Sequence, residues 1–325
     1  MPIQRLAGIF AAGCALMFLS GYQVAFASGE ALPGNFAQRQ RAVQPEFQFS
    51  NDTDQFEIGK LRLSFLPSYS DGWNYWRIST QTSRFRQEGW QVQGRQIGLG
   101  LKRTSPTGVG FESNLYLNDI ANHQFVSTDN RLGWGVGRSS LAEISLVRDV
   151  VESKAGLLSG RHYLAVAGSL ETQWSRDWST VGHLSKTHFS DGNDRLAVKA
   201  KLIYDLVPDY GITTQLWYQN YRDDDLVRSN GAYFNPSRYQ ETLAVLGIRR
   251  TLDQLVLKAR LGAGTQRVQE TGASRSQFAD LVLESRSGQR MYFRTILGYK
   301  LSAGVSAEDY RYRYITQELV IPLGN

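Results

Sequence analysis

The stretch Arg195-Leu196-Ala197-Val198-Lys199-Ala200-Lys201-Leu202-Ile203-Tyr204 reads with a period of two. Arg195, Lys199 and Lys201 share one face, while Leu196, Val198, Ala200, Leu202 and Tyr204 share the other. Successive side chains of a strand point to opposite faces, so the pattern is that of an amphipathic strand and not a helix. Other stretches repeat it. Lys258 and Arg260 alternate with Leu255, Leu257, Ala259 and Leu261. Arg294 and Lys300 oppose Phe293, Leu297, Tyr299 and Leu301. Glu112, Asn114, Tyr116 and Asn118 oppose Val109, Phe111, Leu115 and Leu117.

Working outward from these, the alternation predicts sixteen strands, over 43–50, 56–67, 72–83, 91–102, 108–117, 124–137, 140–150, 160–173, 177–189, 193–206, 210–222, 238–250, 253–266, 275–286, 290–302 and 311–323. Short connections such as Trp174–Arg176 and Val207–Asp209 alternate with longer ones such as Arg84–Trp90, Val151–Ser159 and Asp223–Ser237. An even number of antiparallel strands with short turns at one end and longer loops at the other is the plan of a transmembrane β-barrel of the bacterial outer membrane. Closure leaves no sheet edge, and in lipid it satisfies every backbone group. Trp73, Tyr75, Trp76, Trp174, Trp178, Tyr204 and Tyr210 lie near short turns, where an interfacial aromatic girdle belongs. A soluble sheet with cross-strand aromatic packing is the competing reading. Sixteen strands enclose an aqueous channel unless loops fill it.

The N-terminus reads as a cleaved signal peptide over 1–27: Arg5, an apolar run from Leu6 to Leu19, then Ala25-Phe26-Ala27. A lipoprotein reading would cleave before Cys14, but Ala11-Ala12-Gly13-Cys14 lacks the usual leucine. Residues 28–42 form a polar lead-in or plug, and the barrel is expected over 43–325. No second apolar run suits a polytopic helical membrane protein. One cysteine excludes a disulfide scaffold, and with four histidines it leaves little for a zinc site. The net charge of +6 is spread along the chain, without the basic patch that nucleic-acid binding requires.

Two motifs are more specific: Phe189-Ser190-Asp191-Gly192-Asn193-Asp194-Arg195, and Tyr233-Phe234-Asn235-Pro236 followed by Ser237-Arg238-Tyr239. With Asp309-Tyr310-Arg311-Tyr312 leading into the last strand, their order resembles the C-terminal barrel of the poly-N-acetylglucosamine export porins and, more distantly, the cellulose-secretion barrels. The resemblance is clearest over 175–325. It implies a monomeric outer-membrane porin that passes an exopolysaccharide made by an inner-membrane synthase. Those porins carry a helical repeat domain before the barrel. Only about fifteen residues separate the expected cleavage site from the first expected strand here, so a periplasmic scaffold would be a separate protein or unnecessary. The final residues Val320 to Asn325 also lack the terminal aromatic common in such barrels. Locally, Gly192 and Asn193 tolerate positive φ, and Pro236 stiffens its loop. Both motifs fall on the outer side, where they either shape hairpins or fold inward to gate the pore.

Turning every polar face inward places Lys60, Arg62, Arg77, Arg131, Arg161, Arg195, Lys199, Lys201, Lys258, Arg260, Arg294 and Lys300 in the lumen, against Glu112, Asp129, Glu143, Glu171, Asp280 and Glu284. Charge must avoid lipid in any barrel, which explains its location. The excess of bases predicts a lumen that concentrates anions, suited to an acidic polymer. Gln215, Trp217, Gln219 and Tyr221 alternate on one inward face, and their rings and amides are candidate sugar contacts. A general or anion-selective diffusion porin and a lipoprotein-surfacing barrel remain as alternatives. So does a lipid hydrolase built on His188-x-Ser190, with His183-x-Ser185 as a second pair, although neither has an evident acid in the next strand. No phosphate loop, dinucleotide fingerprint or metal cluster is present, and the expected protein is neither an enzyme nor dependent on a cofactor.

Overall fold

The computed structural model describes residues 40–71, 74–105, 109–225, 227–269, 272–286, 291–303 and 309–323. The expected signal peptide and nearly all of the lead-in lie outside the described residues. The strands are β1 (Gln40–Asp52), β2 (Glu57–Asp71), β3 (Asn74–Gln87), β4 (Trp90–Thr104), β5 (Gly110–Ile120), β6 (His123–Val136), β7 (Ser140–Val150), β8 (His162–Gln173), β9 (Trp178–Phe189), β10 (Asp194–Val207), β11 (Ile212–Asp223), β12 (Tyr239–Leu252), β13 (Leu255–Val268), β14 (Ser274–Ser285), β15 (Tyr292–Ala303) and β16 (Asp309–Leu323). Each pairs antiparallel with the next, and β16 returns to β1, so sixteen strands close one barrel. Along that closing seam Ala42 faces Pro322 and Val43 faces Ile321; the ladder then skips Gln44 and Pro45 and resumes at Glu46 opposite Glu318.

The period of two explains the wall. Leu61, Leu63 and Phe65 on β2, Ile97 and Leu99 on β4, and Leu115 and Leu117 on β5 point outward and are exposed. So many large apolar side chains on one continuous surface demand an apolar solvent. Their neighbours in sequence turn inward: Ser64, Arg77, Ser79, Gln81, Ser83, Asn114 and Asn118 are buried inside. Outward aromatics Trp76, Trp174, Trp178 and Tyr210 gather at one end, with Trp178 packed on Tyr204 at 4.7 Å. Tyr75 does not join this girdle. It packs inside with Ala42, Leu66, Tyr69 and Val320, because it shares the β3 face of Arg77 and Ser79. Trp73 lies outside the described residues.

The end bearing β1's start and β16's finish is here the turn end, and the opposite one the loop end. At the turn end a 3-10 turn, Pro208–Tyr210, joins β10 to β11. Gly211 closes it with φ of +63°, and a Cβ there would sit 2.0 Å from the Arg249 carbonyl oxygen. At the loop end, Arg84–Trp90 was expected to be a long connection. Alternation instead continues through inward Phe85 and outward Arg84 and Arg86, leaving the tight turn Glu88-Gly89. The long loops are loop A, residues 151–161, and loop B, residues 224–238. Loop A holds a short helix, α1 (Lys154–Leu158), capped by Ser153, whose Oγ accepts the Gly156 N–H at 2.9 Å.

Candidate functional site

The inner wall is built from amides, hydroxyls and charges contributed by alternate residues of every strand. Beneath loop A it encloses a cavity of about 360 Å³, lined among others by Gln48, Gln81, Gln96, Asn114, Asn118 and Tyr116. Arg77 donates to Asn114 Oδ1 at 2.5 Å and to the Tyr116 hydroxyl at 3.0 Å. Gln96 donates to Asn118, which donates to Ser127. Such a surface offers exchangeable hydrogen bonds without a single tight trap.

The cations expected in the lumen lie on the inner side, but they do not stand as an excess. Lys60 meets Glu152 at 2.5 Å, Arg62 meets Glu46 at 3.1 Å, and Arg131 meets Asp129 at 3.0 Å. Lys258 and Arg294 both approach Glu284, at 2.6 and 3.4 Å. Arg260 pairs with Asp280 at 2.6 Å and Lys300 with Glu241 at 3.3 Å. Glu46, Asp149, Glu152, Asp223, Glu241 and Glu318 were missing from the acidic set. Glu46 and Glu318 sit among mostly uncharged inward residues, and Glu152 reaches in from loop A. The wall therefore alternates in sign, and the field expected from a basic lumen is largely cancelled.

Gln215, Trp217, Gln219 and Tyr221 do alternate on the inner face of β11. Trp217 is stacked on Phe278 at 4.8 Å, with Lys201 Nζ 4.2 Å and Arg260 Cζ 5.3 Å from its ring centre. Gln215 accepts its indole N–H at 2.7 Å. Tyr221 is stacked on Tyr239 at 4.7 Å and lies under Arg195. In this arrangement both rings are covered by protein. Lys199 stands opposite His183 of β9 on the same inner wall.

The two motifs singled out in the sequence meet face to face. Phe189 and Tyr233 stack at 4.0 Å with 8° between their planes. The Tyr233 hydroxyl donates to the Asp191 carboxylate, which also binds Arg161 at 2.7 Å. Asn193, fully buried, donates to the Tyr233 hydroxyl and to Asn235 Oδ1, while its own Oδ1 accepts the Asp225 N–H. Arg195 forks onto Asp223 at 2.7 and 2.9 Å and donates to the Phe234 carbonyl. Phe234 itself packs against Tyr221 and Tyr239, inside the wall. Pro236 is among the most buried side chains. Loop B thus folds inward and is held there by the β9–β10 turn. Gly192 in that turn has φ of +84°, and Arg228 Nη1 reaches its carbonyl oxygen at 2.9 Å. Asp225 accepts the Val227 N–H at 2.9 Å, the main reason its carboxyl is held below the ordinary range. Burial, in contrast, pushes the Tyr233 phenol up.

Loop A closes the other side. Leu157 of α1 packs against Phe56, Ile58, Phe85, Ile120, Tyr310 and Tyr312, a cluster that runs from β5, two strands from β7, round to β16, seven strands from it. The two loops join where the Ser153 hydroxyl donates to the Ala232 carbonyl at 2.5 Å. The loop end is therefore bridged by an apolar and hydrogen-bonded cap.

The His-x-Ser pairs separate. His183 faces inward, and His188 faces outward, with Nδ1 2.6 Å from Asp194 Oδ1. Asp194 stands directly opposite His188 on the next strand, an acid that the sequence reading did not identify. Ser190 Oγ accepts the His162 N–H at 3.1 Å, and among the described residues no bond joins it to His188. No group of three or more His, Cys, Asp or Glu capable of holding a metal occurs among the described residues.

No protein-family model and no curated protein matches this chain. Solved structures do. A bacterial polysaccharide outer membrane secretin superposes with a TM-score of 0.66 at 10% identity, covering 87% of this chain and 98% of its own. CdiB from Acinetobacter baumannii matches at 0.47 and 10% identity, over 87% of this chain and 60% of that one. OccK5 (OpdH) of Pseudomonas aeruginosa matches at 0.46 and 10% identity, over 88% and 98%. The likeness is one of fold: this chain is a closed sixteen-stranded antiparallel β-barrel of the bacterial outer membrane.

Proposed function

We propose that the barrel is a conduit for a secreted polysaccharide, held shut at the loop end until the polymer arrives. The observation that carries this reading is the interior itself: amides, hydroxyls and mutually paired charges lining a cavity directly behind an inward-folded cap. A hydrated sugar chain exchanges hydrogen bonds with such a wall as easily as water does. The similarity of fold to a polysaccharide secretin supports the same substrate class. The polymer enters from the periplasm, displaces the cap and leaves at the cell surface. Because lumen cations are paired, a neutral chain or one of alternating charge suits the interior better than a strongly acidic one. A periplasmic scaffold and an inner-membrane synthase would deliver the polymer to a single barrel.

Removing the protein from its host while leaving the synthase intact tests the reading. Surface polymer should disappear and polymer should accumulate in the periplasm. Unchanged surface polymer would refute it.

A further inference from the structure

The lumen pairs its cations, but a second set of cations does not enter the lumen at all. On the outer surface near the loop end lie Arg222 on β11, Arg267 on β13, Arg275 on β14, Arg311 and Arg313 on β16, Arg84 and Arg86 on β3, and Arg95 on β4, all exposed. Strand order makes them one arc, because β11 to β16 continue through β1 to β4 around the closed wall. Strands are about 4.8 Å apart, so Arg275 and Arg311 stand roughly 10 Å from one another around the rim. Three acids share or border this face: Glu57 paired with Arg86 at 2.5 Å, Asp309 at 3.9 Å from Arg311, and exposed Asp119 on β5, directly opposite Arg95 in the ladder. Arg95, Arg267, Arg275 and Arg313 have no ion-pair partner among the described residues.

These side chains sit where an outward charge is tolerated. An arginine facing hydrocarbon at mid-depth costs a few kcal/mol, and the cost falls toward zero near the interface. Immediately below the arc the outer face becomes Ile97 and Leu99, Leu261, Leu281 and Leu297, all exposed. A ligand reaching both levels carries phosphate above and acyl chains below. Every cation in the arc is arginine, whereas the lumen mixes lysine with arginine. Arginine's planar fork binds phosphate oxygens in pairs and holds them at a headgroup surface better than a point charge does. The conduit makes no use of these residues.

We propose that this arginine arc is a binding belt for the phosphorylated headgroup of an outer-leaflet glycolipid. The belt fixes the barrel's height in the membrane and seals its loop-end rim. It requires only that the loop end face the cell surface, as outer-membrane barrels are oriented, and it stands whatever the lumen carries.

Native mass spectrometry of the purified barrel in detergent tests it, with three probes at equal concentration: bis-phosphorylated lipid A, the same lipid with both phosphates removed, and inorganic pyrophosphate. Bound lipid A is expected, with about tenfold less of the dephosphorylated lipid and no pyrophosphate retained. Arg95→Gln, Arg275→Gln and Arg313→Gln combined should reduce lipid A binding to the level of the dephosphorylated lipid, while heat-modifiable migration shows the barrel intact. Equal binding of both lipids to the unaltered protein would overturn the proposal. Pyrophosphate binding as tightly as lipid A would make the arc a free-anion site and overturn it as well.

Discussion

Arg195 and Asp223 stand opposite one another on β10 and β11, joined by two hydrogen bonds and almost completely buried. The guanidinium that fixes Asp223 also holds the Phe234 carbonyl of loop B. One side chain therefore ties the wall to the cap. Breaking one partner of a buried pair leaves the other charge uncompensated, at roughly 3–5 kcal/mol. Arg195→Ala should release loop B and raise single-channel conductance in planar bilayers several-fold, with the barrel still closed by its strands. Conductance equal to that of the unaltered protein would mean that loop B is not the barrier.

The cap can be read by thiol chemistry, because the chain's single cysteine lies in the expected signal peptide. Ala232 is 2% exposed and Val227 84% exposed. A Val227→Cys variant should react with a water-soluble maleimide at once, and Ala232→Cys slowly. Combining Ala232→Cys with Arg195→Ala should bring the two rates together.

Asp225 gives the cap one contact that acid removes late. The Asp225 carboxyl is held below its usual range, first by the Val227 N–H and also by Arg228. A lowered carboxyl supports the fold above the unfolded value near 4 and loses that support as pH falls through its own lower value. Reactivity of Ala232→Cys toward dithiodipyridine should therefore show a rise as pH falls below the ordinary carboxylate range. In Asp225→Asn this acid-driven rise should disappear.

Paired charge predicts weak ion selectivity. Glu241→Gln with Glu284→Gln removes the carboxylates facing Lys300, Lys258 and Arg294. Reversal potentials across a salt gradient should then move toward anion preference, most clearly at low ionic strength.

The outer wall predicts a stability effect of its own. Leu63, near the middle of β2, is 57% exposed. Leu63→Arg should cost about 2–4 kcal/mol in lipid unfolding titrations. The same change at inward Ser64 would carry no such lipid penalty.

Strand number and order were legible because alternation is a local signal. Arg195 to Tyr204 shows its two faces without any knowledge of its neighbours. Tight turns were less legible: Arg84 and Arg86 look like loop residues until their outward direction is seen. The lumen's charge balance was hidden because ion pairs join distant positions. Lys300 meets Glu241 across 59 residues of sequence, and Lys60 meets Glu152 across 92. Helix α1 spans five residues, too few for a periodic signal. That Phe189 to Arg195 and Tyr233 to Pro236 belong to one packed unit depended on the wall bringing β10 and β12 to either side of β11.

The seam between first and last strands has a consequence for the molecule's origin and its weak line. Proline has no amide hydrogen, and Pro45 and Pro322 both fall on the two strands that meet last. A nascent wall of fifteen completed joins would still gape there, able to accept a foreign strand as a temporary splint. In the finished cylinder, sideways parting toward the bilayer should begin along the same two prolines.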